Sequence, residues 1–455
     1  MRLSQVFSLK KTFPMTVRQL LNPVSLTCVF FIFFSGQLFR CYSQIGRRLP
    51  SEKRVVRDPV TGAELTFLTS KPGVKDSKIY QTHNQWTADE KWLLFRSDRL
   101  GKEAIAVNEE TGDMVQATEG GYAGGYLIVS RKTMTLYVMR QAAEGKDMNL
   151  VKVDLGRLFE DSRSGKLKPE SHYQKICGTI PADYDAHGDM ALDADESWIY
   201  FRVGKEKAAK HLPPGTKIEK PFGPRNLGAG PTGIARINVK TGEVAHVVSV
   251  PFQVGHIQAN FWVPGEIVFC WETGGKSPQR TWTVKSDGSD LRPLYPEADY
   301  EWVTHEAIFS PDEVAFAIMG DRKATYNPDS RTFSDASDWG PAGIRMKPSG
   351  LAVFNLRTNE MQIAGQAPKG GSFWHVTGSA DGKWLAGDTF ERNVYVINRE
   401  NNRMTLLTAG HNRKAPDHVH PSFSPDGTRI QIQSSFLSED GSAMHICIIR
   451  LPENL

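Results

Sequence analysis

Five cysteines in 455 residues are too few and too scattered to staple a fold. Cys28 and Cys41 fall in the N-terminal segment. Cys177, Cys270 and Cys447 then leave an odd set, which excludes a disulfide framework and makes a large apolar core the source of stability. Charge of one sign is also absent: Lys+Arg 55 against Asp+Glu 51 gives +4, and because the first 50 residues are basic without a single acid, the rest is close to neutral. No basic face for nucleic acid is implied. The apolar stretch Val24 to Phe34 covers about 11 residues, roughly half of what a bilayer-spanning helix needs. Two catalytic signatures are missing as well. No G-x-S-x-G elbow occurs, and the paired glycines Gly120-Gly121, Gly124-Gly125 and Gly274-Gly275 open no helix that would cradle a phosphate.

Arg2, Lys10, Lys11 and Arg18 precede that apolar stretch, and the small residues Ser35, Gly36 and Ser43 follow it. This is the layout of a secretory signal peptide, assigned to 1–44, which sends the remaining chain to the periplasm or outside the cell. A retained N-terminal anchor is the alternative. No membrane contact beyond this segment is expected.

What the chain has in quantity is turn and strand chemistry: 40 glycines, 26 prolines and 10% aromatics. One unit recurs, a short apolar strand, a turn of type S-x-D-G, then an alternating strand. The clearest copies are Ser424-Pro425-Asp426-Gly427 before RIQIQSS and Ser379-Ala380-Asp381-Gly382 before KWLAGDT. Thr87-Ala88-Asp89-Glu90, Asp193-Ala194-Asp195-Glu196 and Ser310-Pro311-Asp312-Glu313 follow the same plan, and degenerate copies lie at Ser130-Arg131-Lys132 and Val263-Pro264-Gly265. The anchors fall at 89, 132, 195, 265, 312, 381 and 426, at least about 45 residues apart, the length of a four-stranded propeller blade. Segments such as AIAVNEETGDMVQAT, IARINVKTGEVAHVV, LAVFNLRTNEMQIAG and VYVINRENNRMTLLT supply the second hairpin. The expected fold is therefore all-β: a single seven-bladed β-propeller over 45–455, with four-stranded antiparallel blades and almost no helix.

In such a blade the strand before the turn is innermost, so residues a few positions upstream of each turn ring one mouth of the channel. Those positions hold His83, His187, His256, His305, His375 and the pair His418 and His420, seven of the twelve histidines. Neutral imidazoles within reach of one another suit a transition metal and a base that works near neutral pH. Each one alone is equally well read as a channel-lining histidine bonded to backbone. The basic, Pro/Gly-rich stretch from Lys205 to Gly230 reads either as a solvated loop or as a lid whose cations meet an acidic ligand.

The segments VGHIQANFWVPGEIVFCWETGG, EWVTHEAIFSPDEVAFAI, WHVTGSADGKWLAGD and PDHVHPSFSPDG resemble successive inner strands of the oligogalacturonate lyase family of polysaccharide lyases, and the likeness runs from THNQWTADEKWLLFRSDR to the end. That resemblance implies a seven-bladed propeller that degrades short uronic-acid (pectin-derived) oligosaccharides by β-elimination. It also implies a divalent metal, manganese foremost and another transition metal or Ca2+ as alternatives. It makes His256 the general base and His305, His418 and His420 metal ligands. The family's fourth ligand is a glutamine, and its position here is Ala415, which leaves Asp417, His375 or a water to complete the set. The arginine that grips the substrate carboxylate has Arg225 and Arg236 as candidates. These departures leave room for another uronate polymer such as ulvan. The expected partner is an acidic oligosaccharide, and the expected state a monomer or weak dimer. A non-catalytic TolB-like periplasmic propeller that binds a glycan or peptide is the rival reading. A propeller hydrolase, with Asp185 and Glu306 as its paired carboxylates, is the third.

Overall fold

The computed structural model describes residues 44–123, 127–186, 189–223, 225–273, 277–298, 301–320, 326–327, 332–333, 349–368 and 372–452. The signal segment and His187 lie outside them. Ser43–Leu455 forms one unit and holds the propeller.

The seven expected turns are built by their own side chains. In Ser379–Trp384 the serine hydroxyl donates to the Asp381 carboxylate and accepts the Trp384 N–H, while the carboxylate also takes the Lys383 N–H. Thr87–Trp92 and Ser424–Arg429 repeat the same three bonds. Position four is left-handed in four of these turns, with Gly382 at φ 73°, Gly427 at φ 70°, Glu90 at 57° and Glu196 at 56°.

Each turn joins an inner strand to a second strand, and blades two to six follow as antiparallel sheets in chain order. Blade four, for example, runs Val254–Ala259, Glu266–Trp271, Thr281–Lys285 and Arg292–Pro293. Blade five carries a small hairpin, 326–327 with 332–333, between its second and third strands. Blade two holds the ten-residue helix Leu155–Ser164 between its outer strands, capped by Asp154 at one end and left-handed Gly165 at the other. A second helix among the described residues, Lys205–Ala209, opens the basic insertion of blade three.

Residues 48–67, to which the repeat assigns nothing, complete the ring. Glu64–Phe67 pairs with the last strand, His445–Arg450, through Leu65 with Ile449 and Phe67 with Cys447, so the seventh blade is made from both ends of the chain. Arg54–Arg57 adds a fifth strand there, and Arg48–Leu49 adds a fifth strand to blade one. The core is shared among the seven blade-to-blade interfaces, each with its own apolar cluster. Because every blade packs on both faces, central strands such as Glu313–Met319 are apolar and buried along almost their whole length, without the alternation of a one-sided sheet.

Candidate active site

Three histidines reach the channel by one backbone device. His256, His305 and His420 have φ of 50°, 53° and 51°, a conformation rare for any residue with a side chain. Each sits at a β-bulge of its inner strand: His256 between the pairs Gly255–Cys270 and Gln258–Val268, and His305 between Thr304–Ala317 and Ala307–Ala315. In blade seven, His420 lies between the Val419 carbonyl, bonded to the Gln433 N–H, and the pair Ser422–Gln431. A bulge turns one residue out of the pleat, here toward the axis. Blade one does this on a larger scale. Its inner strand, Asp76–Lys78, breaks off and resumes at Trp86, and the intervening loop lays Tyr80 against the rings of His256 (5.0 Å), His420 (5.2 Å) and His375 (6.1 Å).

His375 is the hub of one side. Its ring centre is 3.8 Å from that of His420, 4.2 Å from His305 and 5.2 Å from His418. Asp388, at the end of the neighbouring strand Trp384–Asp388, is fully buried and contacts Nδ1 of His375 at 3.2 Å and of His418 at 2.8 Å. Burial works to raise its carboxyl, yet His375 and His418 hold it well below the usual range. Burial among other imidazoles pushes His375 down to about 3 and His305 well below its ordinary value, so both are neutral. Asp417 accepts from His420 at 3.0 Å and from Gln433 at 3.0 Å. At the mouth Trp374 lies over His305 (4.5 Å) and beside the half-exposed Phe390 (5.0 Å).

The other side is built around His256. Nδ1 is 3.5 Å from Glu306 and Nε2 is 3.6 Å from Glu272, while Arg280 lies within 3.7 Å of both carboxylates. Glu306 is fully buried, and neither carboxylate oxygen has a hydrogen-bond partner among the described residues. Burial lowers the His256 imidazole, but Glu306 and Glu272 outweigh it and leave the group above its ordinary value. Burial likewise works to raise Glu272, while Arg280, His256 and Arg225 hold it below the usual carboxylate range.

The sequence-derived candidates thus divide. His256, His305, His375, His418 and His420 converge. Arg225, 65% exposed, reaches the same place by donating to Glu272 (3.1 Å) and to the Thr273 carbonyl (2.8 Å). Its insertion is pinned by Phe222 against Trp271 and by the Gly228 carbonyl, which accepts the Trp271 indole N–H. Arg236 is not brought there: it stacks on Trp198 at 4.2 Å, just after the turn of blade three and therefore at the opposite end of the channel. His83 also lies deeper, where it lines a cavity with Asn84 and Arg131. Asp185 ends the short turn Ala182–Tyr184, so the carboxylate facing Glu306 across His256 is Glu272. Ala415 offers only its carbonyl, which accepts from Arg392 at 3.2 Å.

Tyr80, Arg280, Glu272 and Asp388 were not found from the sequence. Asp388 had a signal, since it closes the second strand of the blade that carries His375. The others come from a broken inner strand, the end of a second strand and the start of a third, for which the repeat sets no expectation.

The donor set fits a divalent transition metal. The His375 and His305 imidazoles are neutral and ready to donate, and Asp388 fixes His375 and His418 through Nδ1, the arrangement by which a carboxylate orients metal-ligating histidines. The atoms of His375, Asp388 and His418 lie within 4.8 Å of one another, and so do those of His256, Cys270 and Glu272. Burial, however, pushes the Cys270 thiol well above its usual range, which keeps it protonated and a poor ligand.

No protein-family model matches the chain. It is 26% identical over 407 residues to the oligogalacturonate lyase of Dickeya dadantii, which covers 86% of this chain and 94% of that protein. It is 23% identical over 406 residues to the oligogalacturonide lyase of Pectobacterium atrosepticum, with the same coverage. Among solved structures, an oligogalacturonate lyase in complex with manganese aligns with a TM-score of 0.67 at 20% identity, over 90% of this chain and 99% of that one. The oligogalacturonate lyase of Vibrio parahaemolyticus gives the same score and identity over 90% and 100%. The resemblance read from the inner strands therefore extends over most of the chain, and the structural likeness shows the fold.

Proposed function

We propose that the protein is a polysaccharide lyase, exported by its N-terminal segment, that cleaves oligogalacturonate-like uronic-acid oligosaccharides by metal-assisted β-elimination. The observation that carries this reading is the division of the histidine ring into a side gathered on Asp388 and a side where His256 stands between two carboxylates. Similarity to the two curated lyases supports the substrate class, and the manganese complex of a structural neighbour supports the metal.

Elimination from a 4-linked uronate removes the C5 proton, and the C5–H electron pair becomes the C4–C5 double bond as C4–O4 breaks. That proton is weakly acidic until the adjacent carboxylate is neutralised. His305, His375, His418 and His420 would hold the ion, which when bound supplies positive charge against that carboxylate. Arg225, exposed at the mouth, offers a guanidinium to the same group. Neutral His256 takes the C5 proton, and Glu306 and Glu272 stabilise the imidazolium that results. Burial keeps the Tyr80 phenol well above its usual range and so protonated, and its ring lies close to those of His256 and His420, which makes it the candidate donor of the proton that O4 needs. Trp374 and Phe390 present aromatic faces to the sugar.

The test is incubation with pectic, ulvan and alginate oligosaccharides, following the ultraviolet absorbance of the unsaturated product. Product from galacturonate oligomers that stops on chelation and returns with manganese supports the reading. Absence of product from every uronate contradicts it.

A further inference from the structure

Beside the histidine ring, a second polar hollow opens on the same face. The inner strand of blade one starts at Asp76 and its partner strand ends at Ser97, paired residue for residue, so Lys75 and the loop after Ser97 stand together at the histidine end of the channel. A cavity of ≈ 380 Å³ lies there, lined by Lys75, Ser77, Arg96, Asp98, Lys102 and Tyr122. Three of these are cations and one is an acid. Asp98 is exposed, and its carboxylate accepts the Lys75 N–H at 3.0 Å. Lys75 and Lys102 are exposed, whereas Arg96 and Tyr122 are half-buried.

The walls are fixed. Arg96 donates to the Lys78 carbonyl at 3.4 Å, and Lys78 is itself buried, its Nζ donating to the Ser422 hydroxyl at 2.7 Å. The loop bearing Tyr122 is tied down by buried Glu103, whose carboxylate accepts the N–H groups of Gly120 and Gly121 at 3.0 Å each and the Thr118 hydroxyl at 2.7 Å. Burial pushes the Tyr122 phenol up to about 12, which keeps it a hydrogen-bond donor beside Arg96. The strand that carries Arg96's acceptor leads within two residues to Tyr80, so the hollow and the histidine ring share one short piece of chain.

We infer that this hollow is a secondary subsite that binds the carboxylate of a further uronate in the chain whose scissile linkage lies at the histidine ring. The inference rests on the lyase reading and deepens it: the preferred substrates are acidic oligosaccharides longer than the disaccharide. A planar guanidinium, two mobile ammonium groups and a phenol with a free-rotating hydroxyl match a carboxylate flanked by sugar hydroxyls. The exposed ammonium groups of Lys75 and Lys102 favour an anionic sugar over a neutral one.

The experiment is calorimetric binding of galacturonate oligomers of increasing length to the full chain and to the Lys75→Ala/Lys102→Ala double variant, with the unsaturated product followed in parallel. Both lysines are exposed, so the variant folds. The wild type is expected to gain affinity from the disaccharide to longer oligomers, and the double variant to lose about three- to tenfold of that gain, the sum of two solvent-exposed ion pairs. The gain should also shrink as salt is raised. Cleavage with affinity independent of length, or a length-dependent gain that the double variant retains, overturns this inference and leaves the lyase reading standing. Absence of both binding and product with every uronate overturns the two together.

Discussion

On one side of the channel His375 and His305 are buried and held neutral, and on the other His256 is raised above its ordinary value. His305 and His256 occupy equivalent bulges with nearly the same φ, so neither backbone nor position distinguishes them. Their neighbours do. Burial first, then crowding by His375 and the nearby Arg280, opposes protonation of His305, whereas His256 faces Glu306 and Glu272. A repeated scaffold supplies equivalent positions, and residues from the second and third strands assign them opposite chemistry. One side is suited to hold a cation and the other to accept a proton.

The largest effect expected from this contrast is at His256. His256→Ala should lower turnover by about 10²–10⁴, the usual loss of a positioned general base, with melting temperature and metal content unchanged. Near-wild-type turnover with a lowered melting temperature would make His256 a packing residue. Asp388→Asn should come next. It removes the charge that orients His375 and His418 and should weaken metal binding by about 10- to 100-fold, measured by metal titration, while undiminished affinity would show that the imidazoles hold their positions without it.

Glu272→Gln sharpens the comparison through pH. The Glu272 carboxylate favours the His256 imidazolium, so its removal lowers the imidazole pKa and makes the neutral base available in more acidic solution. The rising limb of the pH–rate profile should shift downward by on the order of one unit. A limb that does not move would assign it to another group. Arg225→Ala should be mildest: an exposed guanidinium contributes about 0.2–1 kcal/mol, seen as a KM raised roughly two- to fivefold with kcat little changed.

The fold was legible because S-x-D-G turns carry their own hydrogen bonds and so must recur in the sequence wherever a blade recurs. Five of the seven candidate histidines were legible for the same reason, being fixed in distance from those turns. Strand closure by Glu64–Phe67 was not, because a strand that pairs across almost the whole chain leaves no local mark. Nor was the Tyr80 loop, which breaks the strand pattern that made its neighbours readable. Arg236 was a reasonable choice by sequence, yet its register opposite Tyr200, close to the turn of blade three, and its stack on Trp198 keep it from the histidines, and the buried arginine of the site is Arg280.

The account turns on where the ion sits. Among the described residues, two groups of donors are close enough to compete for it, His375, Asp388 and His418 on one side and His256, Cys270 and Glu272 on the other. Anomalous diffraction from crystals grown with manganese locates the ion directly. A peak bounded by His375, His418 and the neighbouring His305 and His420 is the predicted result. A peak held by His256 and Glu272 would make the proposed base a ligand and contradict the assignment of the two sides.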